Sequence, residues 1–164
     1  MNSTVIMTAE MKRMAWHFAK AISVDEYKCD NRDLATRFYK GILGEMAVCQ
    51  LLFGDYKLAD MSLGKRNNYN HPDLIHLGLN VGVRTTMEGN LPWVSVYNDY
   101  PQIICTIDKE KNTIKIQGIA FPDVIKNNLL NEHLLNKNKK LFNYRGNVIP
   151  FYNLNNLKEI LNEY

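Results

Sequence analysis

Leu34, Phe38, Ile42, Met46, Cys49 and Phe53 recur every three to four residues and mark the stretch from Asp33 to about Phe53 as one amphipathic helix. Asp33 is placed to cap its start and Gly54 to stop it. Two glycines interrupt the pattern, Gly41 and Gly44, and each costs about 1 kcal/mol against alanine in a helix interior. A helix carrying both either breaks near Gly41 or presses its backbone closely against a neighbour.

The rest of the chain organises around this helix. Met11, Met14, Ala15, Phe18 and Ile22 predict an earlier helix from Thr8 to Ile22. After Asn70 the pattern turns strand-like. Residues 73–77 and 79–86 read as the arms of a hairpin around Gly78, followed by strands over 93–97, 102–107 and 113–120. Asp108 to Asn112 is a turn, Pro122 opens a short helix to about Leu130, and Asn153 or Asn155 caps a last helix to Tyr164. Consecutive strands with short connections predict an α+β fold: a central four-stranded, mixed or mainly antiparallel sheet flanked by helices. The expected organisation is a single domain over 1–164, with N-terminal helices in 8–53, the sheet in 73–120 and a C-terminal helical part in 122–164.

Composition narrows the function classes. The 164 residues are 46% hydrophobic and 23% charged, enough for one real core. No run approaches the roughly 18 apolar residues of a membrane span, and Met1 to Glu10 lacks the pattern of a secretory signal. The expected location is the cytoplasm, that of a host cell if the source is viral. Cys29, Cys49 and Cys105 have no C-x-x-C spacing and read as reduced cysteines, the last two in apolar runs. A net charge of +3 permits a nucleic-acid partner without demanding one.

The chemistry-bearing residues lie in three short stretches: Gly41 to Glu45 on the long helix, Pro72-Asp73 before the hairpin, and Gly82, Val83 and Arg84 on its second arm. Residues two apart on a strand share a face, so Gly82 and Arg84 lie opposite the core-facing Val81 and Val83. In order and spacing, over about Phe38 to Leu130, these stretches resemble the core of the PD-(D/E)xK nuclease superfamily, in its phage-encoded form. The resemblance implies a restriction-endonuclease-like core. It also implies that Glu45 and Asp73 hold Mg²⁺ or Mn²⁺, and that Arg84 stands beside the phosphate where the superfamily usually has lysine. Gly82 stands where that pattern has a carboxylate. Arginine does not deprotonate in a site, so Arg84 serves as an electrostatic clamp and not as a base. Each residue also has a plainer role: Glu45 as a solvated helix residue, Asp73 as a turn residue, Arg84 as an ion-pair partner.

No nearby acid replaces the one missing at position 82. Glu88 shares the parity of Gly82 but lies too far along the strand, and Asp99 and Asp108 fall at turns. His71 and His76 flank Asp73 without the spacing of a metal pair. Lys65, Arg66, Lys139 and Lys140 are the candidate nucleic-acid contacts, with Tyr69, Phe142 and Tyr144 available for stacking. Two functions follow. The chain is a magnesium-dependent nuclease acting on DNA, or it is an inactive nuclease fold reused to bind nucleic acid or a host or phage protein, for instance as an anti-defence inhibitor. Either one requires Glu45, Asp73 and Arg84 to meet at one sheet edge.

Overall fold

The computed structural model describes residues 3–25, 32–62, 71–131 and 138–164. Strand β1 (Ser3–Ile6) leads into α1 (Ala9–Asp25) and the long α2 (Arg32–Phe53). Then come β2 (Gly82–Met87), β3 (Trp93–Ser95), β4 (Gln102–Asp108), β5 (Thr113–Ala120), α3 (Pro122–Asn127), β6 (Lys139–Leu141) and α4 (Leu154–Glu163). Thr8 starts α1 by accepting the Met11 N–H on its hydroxyl at 3.1 Å. Gly54, at φ +72°, takes the left-handed turn after α2, and Asn153 caps α4 through the Asn156 N–H at 2.9 Å.

The main sheet has four strands in the order β1-β5-β4-β2. It is mixed, because β1–β5 and β5–β4 are antiparallel whereas β4–β2 are parallel. A parallel pair needs a crossover, here residues 88–101, which carry the short β3 in place of a helix. One face of the sheet, with Val83, Ile103, Cys105, Ile107, Ile114 and Ile116, packs on α1 and α2 to form the larger core. On the other face Ile104 and Ala120 meet Val94, Ile125, Phe142 and Tyr144 in a smaller cluster. No helix among the described residues is long and apolar enough to cross a membrane.

Four details differ from the expectation. Residues 73–77 are not a strand: they form a turn and a 3-10 helix (Ile75–Leu77) closed by Gly78 at φ +79°. Burial explains this, since Leu74 and Leu79 are buried while Ile75 and His76 are exposed, which is not the alternation of a strand. The fourth strand is instead β1, too short and too far from its partner in sequence to announce itself. Trp93–Ser95 leaves the main sheet and pairs with β6 in a separate two-stranded ribbon. The helix after Pro122 ends at Asn127, and β6 lies within the part expected to be helical.

Candidate functional site

The N-terminal half of β2 gathers the three stretches. Alpha-helix α2 is unbroken, and its second glycine explains itself: a Cβ on Gly44 would overlap the hydroxyl of Thr85. Helix and strand backbones therefore meet at Gly44 and Thr85, which brings the next helix residue, Glu45, beside β2. Glu45 is 8% exposed and is the one charged residue among the buried described residues, so it is not a solvated helix residue. Burial pushes the Cys49 thiol, one helical turn on, up to about 12, with Glu45 and Asp55 adding to the shift. Such a thiol is a core residue and not a nucleophile; Cys105, buried as well, is also pushed up by desolvation.

Asp73 arrives from the open edge. Gly82 N–H and Glu88 N–H donate to Pro101 and Ile107 of the β4 side, so the intervening Val83 N–H points away from β4. Asp73 Oδ2 accepts that N–H at 2.7 Å, and the Leu74 N–H donates to the Val81 carbonyl at 3.1 Å. Asp73 thus sits at the rim of the sheet against the peptide between Gly82 and Val83. Arg84 projects from the face opposite α2, in register with Ile104 of the smaller cluster. Its Nε is buried and has no hydrogen-bond partner.

Position 82 is occupied by a neighbour's side chain. Gln102 stands opposite Gly82 in the parallel register, and a Cβ on Gly82 would lie 2.5 Å from Gln102 Oε1 and 2.7 Å from Nε2. A short polar chain holds this amide. Asn98 Nδ2 donates to the Tyr100 carbonyl at 2.5 Å, and Gln102 Nε2 donates to Asn98 Oδ1 at 2.6 Å. Because a carbonyl can only accept, it fixes the orientation of both amides in turn. Gln102 Oε1 is left buried and without a partner. Burial pushes the Tyr100 phenol above its ordinary value; Asp73 adds to the rise, while Arg84 and a hydrogen-bonding contact with Gln102 oppose it. Tyr100 thereby ties Asp73, Arg84 and Gln102 to one neighbourhood.

A second grouping is cationic. Lys139 on β6 is an exposed residue, yet partial burial of its ammonium holds it below the usual lysine range, and Arg37 of α2 and Arg84 lower it further. Three positive side chains from three elements therefore stand within electrostatic reach of one another. Lys140 instead donates to Asn131 Oδ1 at 3.1 Å. Lys65, Arg66 and Tyr69 lie outside the described residues. Phe142 and Tyr144 are buried in the smaller cluster and are not stacking surfaces; the exposed aromatics near Lys139 are Trp93 and Tyr97, on and just beyond β3.

The remaining candidates lie elsewhere. His76 Nε2 bonds the Leu58 carbonyl at 2.8 Å, and Glu88 and Asp108 sit at the far end of β2. Among the described residues no three His, Cys, Asp or Glu side chains are grouped to hold a metal ion. Sequence reasoning missed Arg37, Tyr100 and Gln102. For Gln102 the signal was a polar residue opening an otherwise apolar strand. No protein-family model, curated protein or solved structure matches this chain.

Proposed function

We propose that the chain is a nuclease-like protein that grips the phosphodiester backbone of DNA at the N-terminal half of β2. In this reading Glu45 and Asp73 are the carboxylates for Mg²⁺ or Mn²⁺, and Arg84 is the phosphate clamp. The observation that carries it is the meeting of the three stretches: Glu45 from the helix face, Asp73 along the rim and Arg84 from the opposite face, all at residues 82–85. The grouping of Arg37, Arg84 and Lys139 supports a polyanionic partner, because like charges held together are relieved by phosphate. Exposed Trp93 and Tyr97 beside Lys139 suit a strand whose bases can stack.

The donor set is that of a hard cation, carboxylate oxygens from a helix and a turn brought against one strand. A bound Mg²⁺ would polarise the phosphate and lower the pKa of an attacking water. The chain's own residues orient the backbone and neutralise charge, since Arg84 cannot take a proton. The test is cleavage of plasmid, linear and single-stranded DNA with millimolar Mg²⁺ or Mn²⁺. Cutting that disappears in Asp73→Ala is the expected result; cutting that persists in that variant refutes the assignment.

A second reading, binding without hydrolysis, is favoured by the Gln102 amide over Gly82, which leaves position 82 no room for a carboxylate. It predicts salt-sensitive DNA binding and no cutting with either metal.

A further inference from the structure

We propose that Gln102 supplies, from the neighbouring strand, the oxygen ligand that position 82 lacks, so that a hard divalent cation is held between the Gln102 amide oxygen and the Asp73 carboxylate. This rests on the reading of the N-terminal half of β2 as a metal site. Four observations carry it. Gln102 is 1% exposed, and its Oε1 is a buried acceptor with no partner, a costly state unless an ion or water meets it. The amide cannot turn over to relieve this, because the Asn98 and Tyr100 contacts commit its Nε2 as the donor. Oε1 lies 2.5 Å from where a side chain at position 82 would begin, in the space a residue-82 ligand would use. Asp73 flanks the same peptide from the other side, at 2.7 Å from the Val83 N–H.

A carboxylate offers about four acceptor sites and serves several partners at once, the Val83 N–H among them in Asp73. An amide oxygen is an ordinary ligand for Ca²⁺, and Mg²⁺ keeps several waters that span a gap between two protein ligands. Exchanging a charged ligand for a neutral one weakens the site without abolishing it. The nearby Arg84 charge weakens it further until a phosphate is present.

The experiment is a Mn²⁺ titration of the full chain, followed by electron paramagnetic resonance and calorimetry, with circular dichroism to confirm folding. Gln102→Glu, equal in length and negatively charged, is expected to tighten Mn²⁺ binding by about tenfold or more, and Gln102→Met to weaken it by a similar factor. Gly82→Ala, which pushes the amide aside without altering any ligand, is expected to weaken it too, and it stands in if Gln102→Met does not fold. Binding that vanishes in Asp73→Asn but stays within about twofold of wild type in the Gln102 and Gly82 variants overturns the Gln102 assignment and leaves the metal site standing. In that case Oε1 meets a water or Arg84 Nε. A wild-type chain that takes up no Mn²⁺ at millimolar concentration overturns both.

Discussion

At its C-terminal end β2 runs into Glu88, which lies with Asp108, Glu110 and Lys111 around an open hollow. At its N-terminal half the strand passes Asp73, Arg84, Tyr100 and Gln102. The first end is crowded with formal charge, yet its needs are met locally. Lys111 reaches Asp108 Oδ2 at 3.2 Å, and the Lys111 N–H donates to Asp108 Oδ1 at 3.0 Å. The other end leaves a guanidinium Nε and an amide oxygen buried without partners, next to cations that repel one another. Charge at a turn is cheap because water and neighbours answer it; unanswered polarity inside a fold is expensive and persists where something outside the chain answers it.

The strongest way to break this contrast is to disturb the seam that creates the site. Gly44→Ala should destabilise the protein by about 1–3 kcal/mol in urea unfolding, because overpacking against Thr85 outweighs the helix propensity gained. In a Thr85→Ala background most of that cost should disappear, because the overlapping hydroxyl is gone and only the Cβ of residue 85 remains close, at 3.0 Å. A Gly44→Ala protein as stable as wild type would mean the backbones do not meet there. Asn98→Ala comes next: it strands the Gln102 Nε2 and the Tyr100 carbonyl, and thermal melts should register a loss of about 1–3 kcal/mol. No loss would show that the amide chain is not what holds this end.

Smaller effects separate binding from folding. Lys139→Gln and Arg37→Gln should each reduce the salt slope of DNA affinity, read by fluorescence anisotropy, by about one. Lys139 should be removable without loss of stability at neutral pH. Its folded pKa lies below the ordinary value, so the folded state disfavours its charge at every pH below that pKa, and the penalty is relieved only as pH rises toward the unfolded value. Lys139→Gln that unfolds the protein would contradict this sign. The smallest change is Asp108→Asn at the other end, with DNA affinity unaltered. The Lys111 backbone N–H holds the Asp108 carboxyl below its usual range, so its contribution is present above the unfolded pKa and fades as pH falls through the folded one. Acid unfolding of Asp108→Asn should lack that component.

Legibility followed range of interaction. The two long helices, the turn at 108–112 and strands β4 and β5 showed in the sequence because each is set by local periodicity and caps. The parity of Val83 and Arg84 was readable for the same reason. What failed was decided by tertiary contacts. The Pro72–Gly78 segment has strand-like residue types, but docking Leu74 and Leu79 inward while capping the rim with Asp73 coils it into a turn. Phe142 and Tyr144 sit in a polar stretch, where they read as available for stacking, and only the closing of the smaller cluster buries them. Gln102 could not be linked to Gly82 without knowing that β2 and β4 are parallel and in register.

Strand β1 has a consequence in time. Its partner residues lie more than a hundred positions away, Ser3 opposite Ile116 and Val5 opposite Ile114, and Asn112 clasps the Met7 carbonyl at 2.8 Å. Synthesis delivers β1 before either long helix, but its docking edge exists only after β5 has emerged and paired with β4. Closing so long a loop is slower than forming the helices between, so β1 is expected to dock last. Until it does, β5 presents a bare edge on which a second nascent chain can pair.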